Sequence, residues 1–229
     1  MPLGIFGKLP AKRDFVAQNA PRRFLDSFEP WLQTSVATSR HALGEGWQDA
    51  FRHGPIWRFW LGAGLTGATT LGALMPSVDG VGRYFPLAVF ALEGEGETLP
   101  PPEIDANDAW FEALELVLLD ALQADCSYES LLEKVAALGQ PVSFVAEIPA
   151  GVELLPGGAV LLRDFGEALP TALKVARRAN HRASFSDQSF WWTIGGEGFE
   201  PSALALSGMP PAALFSGFLT GAFRPGEQA

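Results

Sequence analysis

The chain has 229 residues, of which 48% are hydrophobic, 11% aromatic and only 18% charged. These values predict one packed domain with a large core and exclude extensive disorder. The formal net charge of -10 argues against nucleic acid as a partner, because binding to phosphates requires a surplus of cations. The single cysteine, Cys126, excludes an internal disulfide and a zinc site built from cysteines.

The first part of the chain predicts a strand, a helix and three more strands. The first strand is expected at Leu3 to Phe6. A helix should begin at Pro21, with an apolar stripe that runs from Phe24 to Val36. Pro30 falls inside that stripe and is expected to kink the helix or to split it in two. Three β-rich segments bounded by glycine and proline follow, at Ile56–Leu61, Thr69–Met75 and Tyr84–Leu92.

The uncharged stretch from Phe59 to Val78 has the length of a membrane span. Its glycines and Pro76 break a helix, so it predicts buried strands joined by a turn and no membrane span. Within it, GAGLTG at Gly62–Gly67 satisfies the G-x-G-x-x-G fingerprint of dinucleotide-binding folds. The β-branched and glycine-broken residues that follow favour a hairpin instead. The N-terminus places its charges after a short apolar segment, unlike a secretory signal, so a cytoplasmic protein is expected.

The second part of the chain predicts helices and strands in alternation. Segment 93–105 is polar and proline-rich and is predicted to be a surface linker inside one domain that spans 1–229. Asn107 is predicted to cap a helix whose core side is Trp110, Phe111, Leu114, Val117, Leu118 and Leu122, with Asp108, Glu112 and Glu115 facing elsewhere. Further helices are expected at Ser127–Gly139, Leu169–Arg178 and Pro210–Phe223, and further strands at Val142–Ile148, Ala159–Leu162 and Phe190–Ile194. This alternation indicates a layered α/β fold with a mixed sheet.

Motifs for catalysis and metal binding are missing from the sequence. It contains neither G-x-S-x-G nor H-E-x-x-H, and its three histidines are far apart along the chain. We therefore expect no enzymatic activity, no cofactor and no metal.

The stretch MPSVDGVGRYFPLAVF, from Met75 to Phe90, places a polar cluster between uncharged segments. Asp79 and Arg83 are predicted to pair, with Gly80 and Gly82 permitting the turn between them. Two interpretations stay open. The pair is an internal strut, or it joins Ser77 in binding an anion or small ligand, or in an unrecognised enzyme site.

Two further clusters of charged residues are candidates for docking a partner. The N-terminal cluster consists of Lys8, Lys12, Arg13 and Asp14. The segment KVARRANHR supplies Lys174, Arg177, Arg178 and Arg182. Cations at the end of a helix either offset the helix dipole without further function or form a docking surface for an acidic or phosphorylated partner.

Four motifs together resemble the TagF (ImpM) family of proteins associated with bacterial type VI secretion. They are GIFGKLPAKRDFV at Gly4–Val16, GPIWRFWL at Gly54–Leu61, LMPSVDGVGRYFPL at Leu74–Leu87 and FWWTIGG at Phe190–Gly196. The resemblance runs nearly end to end, and it adds Trp57, Trp191 and Trp192 to the structural or binding motif. One departure is Arg13, which stands where the family usually has a glycine.

The resemblance implies a three-layer α/β/α fold and a cytoplasmic protein that holds the secretion apparatus inactive after translation. It also implies action through a forkhead-associated scaffold protein, independently of the kinase and phosphatase that control that scaffold. The expected function is therefore that of a non-enzymatic repressor that works by protein contact, with the oligomeric state left open.

Overall fold

The computed structural model describes residues 3–95, 97–123, 125–142, 148, 150–164 and 168–223. The strands are β1 (Gly4–Gly7), β2 (Val16–Gln18), β3 (Trp57–Leu61), β4 (Thr70–Met75), β5 (Leu87–Leu92), β6 (Val152–Leu154), β7 (Val160–Leu162), β8 (Gln188–Thr193) and β9 (Ser202–Ser207). The helices are α1 (Arg22–Leu43), α2 (Trp47–His53), α3 (Ala63–Thr66), α4 (Asp108–Asp120), α5 (Tyr128–Ala137), α6 (Leu169–Ala179), α7 (His181–Ser184) and α8 (Phe215–Thr220). The α/β class predicted from the sequence is therefore confirmed.

Seven strands form the main sheet, in the order β2-β1-β5-β4-β3-β8-β9. Every pairing in this order is antiparallel, so the predicted mixed sheet is wrong. For β3 and β4 a short connection explains this, because one helical turn joins them and such a link reverses the chain direction. β6 and β7 form a separate two-stranded sheet.

The main sheet is buried on both faces, and β5 shows this residue by residue. Leu87, Val89 and Ala91 share an apolar cluster with α4 and α5. The alternate residues of the same strand pack into an aromatic-rich cluster with α1, α2 and α8. Successive side chains of a strand point to opposite faces, so an uninterrupted apolar run suits a strand covered on both sides. Helical side chains therefore pack against both faces of this strand.

Helix α1 runs through Pro30 as one element, so of the two expected outcomes, a kink or a split, the split into two shorter helices is wrong. Phe24, Phe28 and Leu32 form its buried side, whereas Pro30 lies on the exposed side. There, Asp26, whose carbonyl loses its helical partner to the proline, is an exposed residue, which lowers the cost of the break. The apolar stripe predicted from the sequence is confirmed.

Helix α4 departs from its sequence prediction at three positions. Asn107 precedes it with a positive φ of 52° and makes no capping bond with its side chain, which instead accepts a hydrogen bond from the Val142 backbone. Glu115 does not face away from the core but is buried, and Leu122 is 41% exposed. Segment 93–105 is likewise not confined to the surface, because Leu99 is buried and its carbonyl accepts a hydrogen bond from the Trp60 indole.

The sequence did not predict β2, α2 or β9. The hairpin expected around Gly62–Gly67 is confirmed, with the four-residue helix α3 at its tip. The helix expected from Ser127 is present as α5, and the Ser127 hydroxyl caps it by accepting a hydrogen bond from the Ser130 backbone. The strand predicted at Val142–Ile148 lies mostly outside the described residues.

Candidate functional site

The buried carboxylate of Asp79 is the centre of the polar cluster that the sequence singles out. Its side chain is 0% exposed, and Lys8 Nζ lies 2.8 Å from Oδ2. Arg83 Nε lies 2.7 Å from the same oxygen. The other oxygen, Oδ1, accepts hydrogen bonds from the backbone amides of Val81 and Arg83, at 3.0 and 2.9 Å. Two cations and two amides therefore satisfy one carboxylate.

The turn from Asp79 to Arg83 is fixed by the backbone as well. The Asp79 amide donates to the Arg83 carbonyl, and the Gly82 amide donates back to Asp79. Gly82 has a φ of +83°, which favours glycine. Gly80 lies against the N-terminal loop, where a Cβ atom would come within 2.9 Å of the Pro10 carbonyl oxygen. Both glycines thus serve the turn, as the sequence predicts.

Two loops that are distant in sequence are joined at this point. Lys8 follows β1, and its ammonium group reaches across to Asp79. The Gly80 amide donates to the Lys12 carbonyl at 2.9 Å, and the Arg83 guanidinium donates to the Arg13 carbonyl. Residues 8–15 and 79–83 therefore form one rigid unit.

The electrostatic balance keeps Asp79 ionised. Burial acts to raise its pKa, but the hydrogen bonds from Lys8, Arg83 and Val81 outweigh that cost, so the pKa lies well below its ordinary value of 3.8. A carboxylate held in this way cannot serve as a general acid or base near neutral pH. The geometry favours the strut interpretation over a ligand site.

Ser77 does not belong to this network, although the sequence places it close to Asp79. Its hydroxyl is buried without a hydrogen-bond partner among the described residues, and its carbonyl accepts from the Phe85 amide. Three well-defined surface cavities in the described part of the chain lie beside α5, α6 and α8, and neither Ser77 nor Asp79 lines any of them. None of these three cavities therefore lies at the predicted ligand cluster.

The outer side of the joined loops is cationic and apolar. Val81 is 54% exposed and Phe15 is 47% exposed. Arg13 and Asp14 are also exposed, and the side chains of Lys12 and Arg83 are 42% and 55% exposed. We call the set Lys12, Arg13, Phe15, Val81 and Arg83 the loop surface. Lys8, by contrast, is buried and does not contribute to it.

The three tryptophans of the predicted motif belong to the interior. Trp57 is 1% exposed and donates its indole N–H to the Phe218 carbonyl at 2.8 Å. Trp191 is fully buried, and Trp192 is half-buried against the Phe111 ring. The tryptophans therefore stabilise the core, and Trp57 and Trp191 present no binding surface.

The C-terminal cations are spread over several local contacts. Arg177 stacks over the Phe185 ring, 4.1 Å from its centre, and Arg182 pairs with the buried Glu93 at 3.1 Å. Lys174 and Arg178 are exposed on α6. This distribution fits local stabilisation better than one concentrated docking patch.

Sequence reasoning missed the buried arginine of β3. Arg58 is 1% exposed and forms a two-pronged contact with Glu115, at 2.6 and 3.1 Å, while Asp108 lies 3.1 Å away. The Phe111 ring covers the guanidinium at 5.1 Å from its centre. The signal was available, because a single charge inside the apolar string WRFW must find partners once that strand is buried.

No helix within the described ranges could cross a membrane. In the same residues, no group of histidine, cysteine and carboxylate side chains could hold a metal ion.

Comparison with known proteins identifies the family. Residues 4–138 match the TagF N-terminal domain, which is type VI secretion system-associated. The chain belongs to the TagF family. The crystal structure of PA0076 from Pseudomonas aeruginosa PAO1 is similar over 99% of this chain and 98% of that one, with 29% sequence identity and a TM-score of 0.78. No curated protein matches the chain. This TagF-family protein is thus associated with type VI secretion.

Proposed function

We propose that this protein represses type VI secretion without catalysis, through contact with a partner protein. The burial of Asp79 carries the proposal. Asp79, the carboxylate of the predicted site, is buried and joins two loops through Lys8 and Arg83, so it is withheld from any substrate. The cluster therefore fixes a surface for contact and does not form a reaction centre.

The loop surface is the part of the fold that this strut holds in place. A backbone that is already fixed loses little conformational entropy on binding, which favours specific recognition. Arginine and aromatic side chains are also the types that dominate protein interfaces. The exposed Arg13, Arg83 and Phe15 supply both types on one surface.

The proposed partner is a forkhead-associated scaffold protein of the secretion system, and the cytoplasm is the proposed location. Both follow from membership of the TagF family and from the resemblance of the four motifs. The loop surface is cationic in a chain whose net charge is -10, so an acidic patch on the scaffold would be oriented toward it.

The test is secretion of an effector protein by a bacterium that carries the system and lacks its own copy of this gene. Wild-type protein should restore repression, and the double variant Arg13→Glu/Val81→Glu should not. Both side chains are exposed and only their backbone groups contact the strut, so the variant should fold. Lys174→Glu, which reverses an exposed charge on α6, is the matched control and should repress normally.

Two results would contradict the proposal. Unchanged secretion after deletion of the gene would exclude repression. The loop surface would be excluded as the docking site if the double variant repressed secretion fully and Lys174→Glu lost repression instead. Co-precipitation of the scaffold with each variant separates a binding defect from a defect later in the pathway.

A further inference from the structure

Strand β9 is an open edge of the main sheet. It is six residues long, reads SALALS, and pairs only with β8 in the sheet order. It contains no charge, no proline and no glycine. Natural edge strands are usually protected by such residues or by a covering element, because unpaired backbone groups recruit another strand. Ala203, Ala205 and Ser207 are exposed, and no described strand pairs with the outer side of β9.

The register identifies which backbone groups are unpaired. The Gly208 amide donates to the Asp187 carbonyl at 2.7 Å, one position beyond the pair Gln188↔Ser207. Hydrogen-bonded and non-bonded pairs alternate in an antiparallel ladder. Ser202, Leu204 and Leu206 therefore bond to β8, whereas the amides and carbonyls of Ala203, Ala205 and Ser207 point outward.

We propose that β9 pairs with β9 of a second copy of this chain, in antiparallel orientation around a two-fold axis at Ala205. In this register the two Ala205 residues exchange both of their hydrogen bonds, and Ala203 of each copy does the same with Ser207 of the other. All outward groups of the three residues are then satisfied. The side chains that meet on that face are those of Ala203, Ala205 and Ser207, and none of them carries a charge.

The opposite face of the sheet gains apolar contact in the same register. Leu204 of one copy lies beside Leu206 of the other, in non-hydrogen-bonded pairs where side chains are closest. Both leucines are half-buried and already pack against the cluster beneath α1. Pairing therefore extends an existing apolar cluster across the two-fold axis.

Charge selects a second copy over an unrelated acidic or basic partner. Complementary charge cannot guide recognition at an edge that carries none, and SALALS contains no charged residue. Two chains of net charge -10 repel at long range. Since salt screens that repulsion and leaves the uncharged contact intact, the dimer should tighten as salt rises.

Sedimentation velocity on the full-length protein over a wide concentration range tests the proposal. The wild type should show a reversible monomer–dimer equilibrium whose dissociation constant falls with added salt. Ala205→Pro removes an outward N–H, not a bond to β8, so the fold should survive. By symmetry it deletes two hydrogen bonds from the interface, which raises the dissociation constant about thirtyfold.

Two more variants at Ala205 serve as a second disruption of the dimer and as a control. Ala205→Lys places like charges opposite each other at the axis and should also give a monomer. This variant keeps the proposal testable if Ala205→Pro does not fold. Ala205→Val keeps the N–H and the neutral side chain and should dimerise like the wild type. A monomeric wild type at every concentration and salt would overturn the proposal. So would a dimer that persists in folded Ala205→Lys, because the interface would then lie elsewhere.

Discussion

At the scale of single residues, Asp79 carries more stability than its exposed partner. We predict that Asp79→Ala lowers the free energy of unfolding by about 3 kcal/mol, because Lys8 is left buried without its counter-charge. Arg83→Ala should cost about 1 kcal/mol or less, since its side chain is 55% exposed. Urea unfolding of the two variants measures the difference. Equal and small effects would show that the carboxylate is not a strut.

The low pKa of Asp79 also predicts how stability depends on pH. A group whose pKa is lower in the folded state contributes stability above its unfolded value and loses it as the pH falls through the folded value. For Asp79 this loss begins near its ordinary pKa of 3.8 and continues toward more acidic pH. The stability gap between the wild type and Asp79→Asn should therefore be constant from pH 5 to 7 and should narrow below about pH 4. A difference in stability that widens as the pH falls would contradict a lowered pKa for Asp79.

At the scale of elements, the ion pair between β3 and α4 ties a helix to the sheet. We predict that Glu115→Ala costs about 3 to 5 kcal/mol, because it leaves the buried Arg58 without its main partner. Asp108→Ala is the matched control and should cost less than about 1 kcal/mol, since the Asp108 side chain is 67% exposed. The double variant Arg58→Met/Glu115→Leu should recover most of the loss. Thermal or urea unfolding of the three variants checks this order.

The ion pair between Arg58 and Glu115 shows why the sequence predicts helix α4 but not which of its residues are buried. The period of apolar residues in α4 predicted the helix, because Trp110, Phe111 and Leu114 repeat with helical spacing. Glu115 lies one position beyond that stripe, and only the long-range contact with Arg58 draws it into the core. A local pattern contains no information about a partner 57 positions away. β9 escaped prediction for a related reason, since SALALS has weak strand propensity and depends on β8 for its order.

The Asp79 cluster was partly predictable. Spacing along the chain gave the pair with Arg83 and the need for glycines in the turn. Lys8 lies 71 positions away, so the sequence groups it only with its neighbours and predicts a docking residue. The fold instead places its ammonium group inside, because β1 and the loop after β4 lie side by side through β5. The topology of the chain therefore decides that Lys8 is a buried partner of Asp79, and the local sequence does not.

At the scale of the whole molecule, the family match ends at residue 138, but the main sheet and the core include residues beyond that point. β8 pairs with β3 inside the main sheet, and Trp191, Phe215 and Phe218 complete the aromatic cluster beneath α1. A chain cut after residue 138 would expose the edge of β3 and one side of that cluster. Each large apolar side chain returned to water costs about 1.5 to 3 kcal/mol, and several such losses approach the whole stability of a domain.

We therefore predict that residues 4–138 alone do not fold, although they match a named domain. The fragment should be insoluble or should lack a cooperative thermal transition by circular dichroism, whereas the complete chain should unfold in one transition. A matched control is a chain that ends at residue 223, because it keeps β8, β9 and α8. This control should melt like the full-length protein. A cooperative transition in the 4–138 fragment would show instead that β3 tolerates an open edge and that the chain contains two independently stable parts.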